Sequence, residues 1–213
     1  PPGELLTRTE VVNLLEELKK KSPKLVEETV PAVVKSGDLQ KVLQNLLRER
    51  VPVRDLETIL ETLADWGPRT KDLDVLTEYV RNALRRTICQ QYASPPAEAG
   101  GRPRLVCVTL DPVLEDQING YIDRGQAGTS VSMPARVAAA IAQQVCESLR
   151  LVTAGGYPPV VIASPQVRAV VRQVLEPHVP TVAVLGYNEV IPTIEVESLA
   201  LVGAPEGKEV AAA

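Results

Sequence analysis

The chain has 213 residues, 45% of them hydrophobic, and a formal charge of −4; with a mean hydropathy of +0.01 this excludes a disordered chain and argues against a polyanionic partner. There is no Phe and aromatic residues make up 3%, so cores must be built from Leu, Val, Ile and Ala, and no base-stacking platform for single strands is available. Cys89, Cys107 and Cys146 are odd in number and widely spaced, a pattern of buried, reduced thiols rather than a disulfide framework or a zinc site.

In chain order, Thr7-Arg8-Thr9-Glu10 reads as a capping box, Thr7 accepting from the amide of Glu10 while Glu10 reaches back. Val11, Leu14, Leu15 and Leu18 then form a helical stripe. Ser22-Pro23 caps a short second helix, since Pro at the first position removes an amide that lacks a partner anyway. A third helix near Asp38 to Glu49 buries Leu39, Val42, Leu43, Leu46 and Leu47. After the extended connector Val51-Pro52-Val53, Leu56, Ile59, Leu60 and Leu63 give a fourth helix its apolar face, and Gly67-Pro68 stops it. One long helix is predicted from about Asp72 to Gln91, with Leu73, Leu76, Val80, Ala83, Leu84 and Ile88 as its stripe.

The run Ala93 to Pro103, rich in Pro, Gly and small residues, sustains neither helix nor ladder and marks a boundary. Beyond it, strands alternate with helices. Leu105 to Leu110 is a strand, and Asp111-Pro112 opens a helix through Tyr121. Ser132-Met133-Pro134 starts another helix up to about Val152, and Pro159 to Ala163 has the apolar run of a central strand. Ser164-Pro165 caps the next helix, with further strands at Thr181 to Leu185 and Ile194 to Val202. The crossover from Pro159 to Leu185 should be right-handed. The expected architecture is a helical subdomain over residues 1–93, a linker over 94–103 and a small α/β subdomain with a mixed four-stranded sheet over 104–203. Residues 204–213 read as a flexible tail. No run reaches the roughly 18 apolar residues of a membrane span, and no signal peptide is visible. Starting at Pro1-Pro2-Gly3 without Met, the chain reads as a piece of something longer, any membrane anchor lying upstream.

The segment Lys41 to Gly67 is a helix, a tight turn and a second helix, the layout of a helix-turn-helix. A DNA reader needs Arg, Lys, Asn or Gln on the second helix to meet bases and phosphates. Here that helix carries Asp55, Glu57, Glu61 and Asp65 and no Lys or Arg. Carboxylates repel a polyanion, so the shape suggests nucleic acid and the chemistry refuses it. A protein partner fits better.

Catalytic readings find little support. Ser164 sits where a strand turns into a helix but lacks the glycines of G-x-S-x-G, and reads as an N-cap. His178, the sole His, lies near a helix end where dipole complementarity accounts for it. Gly100-Gly101 and Gly155-Gly156 match no phosphate-binding pattern. Tyr187-Asn188-Glu189 is either a contact surface or, more simply, a turn stabilised by the Asn side chain. No catalytic, metal or cofactor residues are assigned. Arg48, Arg50 and Arg54 bracket the helix-turn-helix turn, and Arg81, Arg85 and Arg86 follow at helical spacing, with acidic residues between. These form either a solvated surface with weak ion pairs or a contact between copies oriented by opposite charge.

Lys41-Val-Leu-Gln-Asn-Leu-Leu-Arg48, Val51-Pro-Val-Arg-Asp55, Thr58-Ile-Leu-Glu-Thr-Leu63 and Leu76-Thr-Glu-Tyr-Val-Arg81 resemble the export-gate family of type III secretion. So do Pro159-Val-Val-Ile-Ala-Ser-Pro165 and Val184-Leu-Gly-Tyr-Asn-Glu189 in the second half. The resemblance implies a protein with a membrane-embedded N-terminal half and four cytoplasmic subdomains, of which this chain holds the last two, a winged-helix-like one over residues 1–93 and a small α/β one. It implies a soluble fragment at the cytoplasmic face of the bacterial inner membrane, in a ring, widely seen as nonameric, that docks chaperone–substrate complexes, meets other export-apparatus proteins and sorts export. The family's main chaperone-binding dimple lies on the two subdomains absent here, so its residues are not carried over. The third subdomain is the family's chief ring contact, which makes Arg48, Arg54, Asp55, Glu61, Arg81 and Arg85 the candidate interface residues. Tyr187-Asn-Glu189 favours the flagellar branch over the injectisome branch. The rivals are a winged-helix DNA-binding regulator, which a low-salt gel shift would reveal, and a small enzyme, which Ser164→Ala would inactivate.

Overall fold

A computed structural model describes residues 6–126 and 128–205; the tail 206–213 lies outside them. The chain divides into two compact units, residues 1–88 with 124–129, and residues 89–123 with 130–213.

The first unit opens on α1 (Arg8–Lys21) with the expected capping box, the Glu10 amide donating to Thr7 Oγ1 at 3.2 Å and the Thr7 amide to Glu10 Oε2 at 2.6 Å. α2 (Pro23–Thr29), α3 (Ser36–Arg48), α4 (Leu56–Trp66) and α5 (Leu73–Ala83) follow. Leu39, Val42, Leu43 and Leu46 of α3 and Leu56, Ile59, Leu60 and Leu63 of α4 are buried, as are Leu76 and Val80 of α5, the helix against which both α3 and α4 pack. Each such side chain contributes roughly 1.5–3 kcal/mol through burial. The turn between α3 and α4 is tight because Arg50 adopts φ 60, a left-handed conformation usually taken by Gly. That conformation brings the Arg50 amide to Leu47 O and the Val51 amide to Leu46 O, both at 2.9 Å, and buries Val51.

The single long helix expected from Asp72 to Gln91 is corrected. It is two helices, α5 and α6 (Arg85–Tyr92), interrupted at Leu84. The Leu84 amide is shared between the carbonyls of Val80 and Arg81, and the Arg85 guanidinium donates to the Asn82 carbonyl at 3.0 Å, satisfying an acceptor the interruption would orphan.

In the second unit β1 (Arg104–Leu110), β4 (Val160–Ala163), β5 (Ala183–Gly186) and β6 (Glu195–Val202) form one sheet in the order β5-β4-β1-β6. All three ladders are parallel, so the mixed sheet expected from sequence is corrected. The physical reason lies in the connections: helix Ala135–Ala154 precedes β4, helix Arg168–Leu175 precedes β5, residues 187–194 with their 3₁₀ turn precede β6, and no tight hairpin joins two of these strands. α7 (Pro112–Asn119) follows β1 under an N-cap, the Val113 amide donating to Asp111 Oδ1 at 2.8 Å. α8 (Ala135–Ala154) lays Ile141, Ala142, Val145, Leu149 and Val152 against Val106, Val108 and Leu110 of β1. α9 is Arg168–Leu175. It starts later than Ser164-Pro165 suggested, with Val167 rather than Ser164 ahead of it. β4 and β5 are buried at every residue, as continuous apolar strands in a parallel sheet should be.

Residues to which sequence assigned no element form a hairpin, β2 (Ile122–Gly125) and β3 (Gly128–Val131), whose tip belongs to the helical unit as a wing. The division between units falls at Ile88/Cys89, ahead of the Pro- and Gly-rich run. That run is a loop of the second unit, tied by reciprocal hydrogen bonds between Ser94 and Arg104 at 2.7 and 2.8 Å.

Candidate functional site

The residues that could act on a partner lie mostly on the surface of the first unit. α4 turns its apolar stripe inward and leaves Glu61 and Asp65 exposed on its outer side. Arg48 at the end of α3 and Arg54 in the connector are exposed as well. Cationic turn and anionic helix therefore stand side by side, open to solvent. Asp55 caps α4: its Oδ1 accepts from the Thr58 amide at 3.2 Å and its Oδ2 from the Thr58 hydroxyl at 2.8 Å. Arg85 is exposed but closes the α5–α6 interruption. Arg81 departs from the surface expectation. It is 2% exposed, with Nη1 3.7 Å from Glu49 Oε1 and Nε 3.9 Å from Glu78 Oε2, so its charge serves the interior of the unit.

Sequence reasoning missed an aromatic feature. Trp66 at the end of α4 stacks on Tyr79 of α5, ring centroids 3.9 Å apart at 6°, and the Arg69 guanidinium lies 4.9 Å from the Trp66 ring centre. All three keep part of their surface in solvent. Trp, Tyr and Arg are the side chains that most often dominate binding energy at protein interfaces. The available signal was composition: the single Trp of a chain without Phe stands at the end of a surface helix.

In the second unit Ser164 is not the expected N-cap; its amide donates to Glu115 Oε2 at 2.6 Å. A shallow cleft of about 390 Å³ opens there, lined by Pro112, Glu115, Asp116, Asn119, Ser164 and Gln166 among others. His178 is exposed in the turn after α9. Tyr187–Glu189 is a 3₁₀ turn to which Glu189 contributes: its buried carboxylate accepts from the Gly186 amide at 2.8 Å. Tyr187 remains 47% exposed, and burial of its inner part, with Glu115 and Cys107 nearby, raises its phenol above the usual value. Cys107 is fully buried, and burial, then Glu197, pushes its thiol up to about 12. Such a thiol is inert. Among the described residues no helix is long and apolar enough to cross a membrane.

Taken together these elements define a winged-helix unit followed by a parallel α/β unit, with charged and aromatic side chains presented by the former. The chain belongs to the FHIPEP family, whose model matches residues 2–195. It is 37% identical over 199 residues to "Flagellar biosynthesis protein FlhA" of Bacillus subtilis, an alignment covering 93% of this chain and 28% of that protein. The chain thus spans little more than a quarter of the length of this relative. Its fold superposes on the Chlamydia pneumoniae CdsV and CdsO protein complex with a TM-score of 0.82 and 30% identity, over 94% of this chain and 57% of that one. It superposes on nonameric EPEC SctV-C with a TM-score of 0.78 and 28% identity, over 94% of this chain and 58% of that one.

Proposed function

We propose that this chain is the C-terminal cytoplasmic portion of a flagellar type III protein export gate, a non-catalytic element that takes its place in a ring. The observation that carries this reading is the continuous similarity to a flagellar FlhA over 93% of the chain. The identity to that flagellar protein exceeds the identity to CdsV and SctV-C, which supports the flagellar branch over the injectisome branch. A nonameric assembly of SctV-C supports self-association into a ring, and the CdsV complex with CdsO supports a further export-apparatus protein as partner. In this reading the ring docks chaperone–substrate complexes and sorts their export at the cytoplasmic face of the inner membrane, the membrane-embedded part lying elsewhere in the protein.

Exposed Arg48 and Arg54 beside exposed Glu61 and Asp65 support an interface between copies, because opposite charges on one surface orient neighbours and speed their encounter. The acidic outer side of α4 argues against duplex DNA as the ligand. The test is charge reversal in the full-length gate. Arg54→Glu and Glu61→Lys should each impair ring formation, measured by light scattering on the cytoplasmic part, and reduce export of flagellar subunits. The pair combined should recover part of the loss. Normal assembly and export in both single variants would remove the interface assignment, and unchanged motility after deletion of the gene would remove the flagellar reading.

A further inference from the structure

The two edges of the parallel sheet are finished differently. In a parallel ladder alternate residues turn both their amide and carbonyl to the same neighbour. The Ala183 amide donates inward to Pro159 O, so Val184 and Gly186 turn theirs to the outer edge of β5. Two of these outward groups are met by side chains: the buried Arg168 donates from Nη1 to Val184 O at 2.9 Å, and the buried Glu189 carboxylate accepts from the Gly186 amide at 2.8 Å. The β5 edge is thus engaged by two buried ionic side chains.

At β6 the Glu195 amide donates inward to Pro103 O and the Val202 carbonyl accepts from the Asp111 amide, both at 2.8 Å. Between them the register shifts, Cys107 facing Ser198 but Val108 facing Ala200, which leaves Leu199 bulged. Val196, Ser198 and Leu201 therefore turn their amides and carbonyls away from β1, and among the described residues no partner meets the amides and carbonyls of Val196 and Leu201. Their side chains are open too, with Leu201 62% exposed and Val196 and Leu199 also among the exposed large apolar residues. β6 is the longest strand of the sheet. An unpaired edge of this kind is a template for another strand, which proteins ordinarily cover or blunt.

Charge selects the occupant. Glu195 and Glu197 stand on the strand and Asp111 at its end, and Arg104 is already engaged by Glu197 at 2.8 Å. In the whole unit Asp and Glu outnumber Lys and Arg, and two of its cations, Arg168 and Arg172, are buried. A second copy would bring the same acidic strand against itself. The area is also small: one added strand of about eight residues falls well short of the roughly 1,600 Å² of a stable interface. We propose that the outer edge of β6 receives an extended, basic segment of another protein as an added fifth strand, held transiently by main-chain hydrogen bonds with apolar side chains seated on Val196, Leu199 and Leu201. This goes beyond ring assembly and does not depend on the export reading.

The probe is a synthetic peptide alternating Lys and Val over about eight residues, with a Glu–Val peptide as control, added to the whole chain. Hydrogen exchange at the Val196 and Leu201 amides, read by NMR, should slow at least about tenfold with the basic peptide and stay unchanged with the acidic one. Leu201→Pro removes a donor that does not serve the β1 ladder, so it should keep the thermal midpoint and weaken peptide binding at least about tenfold; Val196→Pro serves the same purpose if Leu201→Pro fails to fold. Unchanged exchange at both amides, equal binding of the acidic peptide, or equal binding by a folded proline variant would overturn the proposal. So would slow exchange at these amides in the free chain or a concentration-dependent dimer, since either means that the edge is already filled.

Discussion

The carboxylate of Asp72 links two parts of the helical unit that lie far apart in sequence. Its Oδ1 accepts from the amides of Asp74 and Val75 at 3.0 and 3.3 Å, capping α5, while its Oδ2 accepts from the Thr129 hydroxyl at 2.7 Å at the tip of the wing. Gly128, at φ +117, sets the backbone that delivers Thr129 to this position, a conformation side-chain-bearing residues rarely adopt. Thr129→Val should cost about 1 kcal/mol, the net worth of one hydrogen bond. Asp72→Ala should cost about 2 kcal/mol by adding the loss of the cap. The double variant should cost less than the sum by about 0.5–1 kcal/mol, because one bond is counted in both singles. Urea titrations followed by Trp66 fluorescence, which reports on this unit, decide it; strict additivity would mean that the wing is not latched through Asp72.

This latch also shows where reading the sequence stops. The helices of the first unit were legible because Leu39, Val42, Leu43 and Leu46, or Leu56, Ile59, Leu60 and Leu63, recur at the helical period and end at Gly67. The wing was not, because Asp123-Arg124-Gly125 and Gly128-Thr129-Ser130 carry no apolar alternation and are placed by the distant Asp72. The strands of the second unit were legible as apolar runs, but strand direction is a property of connections and pairing, and so a parallel sheet reads as mixed. Arg81, Arg168 and Arg172 were unreadable for another reason. A long cationic side chain at a helical position is normally solvated, and only tertiary packing buries it beside Glu49 or Val184. The exposed charges of the candidate interface, Arg48, Arg54 and Glu61, do lie where the amphipathic pattern puts them.

Cys107 gives the chain an alkaline weakness. The native thiol holds its proton up to about 12, whereas an unfolded thiol releases it near about 8.5. Between those values the native state binds more protons than the unfolded one, so stability falls as pH rises through this window and is fully retained below it. Cys107→Ala should lower stability at pH 8 through the cavity it leaves, yet flatten the decline above about pH 9, where the thiol contributes up to about 1.4 kcal/mol per pH unit. Urea midpoints of both proteins from pH 8 to pH 11 provide the comparison. Parallel curves would show that Cys107 is not the group responsible.

Gly67 is required for room rather than for conformation. Its backbone is helical, with φ −55 and ψ −37, so Ala would fit the dihedral angles without strain. A Cβ at this position, however, would come within 2.7 Å of Val33 Cγ1 and 2.6 Å of the Leu63 carbonyl oxygen. Conformation alone predicts that Gly67→Ala stabilises by about 0.4–1 kcal/mol through the unfolded chain, whereas overpacking predicts a loss of about 1–3 kcal/mol. The contact distances favour the loss, since the Leu63 carbonyl belongs to the last turn of α4 and cannot swing aside. Thermal unfolding of Gly67→Ala, alone and with Val33→Ala to relieve the side-chain contact, measures the two effects; a rise in midpoint for the single variant would contradict the packing account.

Arg81 and Arg54 separate folding from association, although the sequence grouped them. Removing the Arg81 side chain takes a buried cation away from both Glu49 and Glu78. Arg81→Ala should therefore cost about 3 kcal/mol or more, as expected when one partner of a buried ion pair is removed. Arg81→Met, which fills the space but still lacks the charge, should recover part of this. Arg54 is exposed and caps nothing, so Arg54→Glu should shift stability by no more than about 0.5 kcal/mol. Loss of ring assembly in Arg54→Glu at an unchanged thermal midpoint would then be a surface effect, whereas loss in Arg81→Ala would track the fall in midpoint and recover on cooling. If Arg81→Ala instead kept its midpoint and still failed to assemble, Arg81 would have to leave its pocket in the assembled state, and the interior role given to it by Glu49 and Glu78 would be wrong.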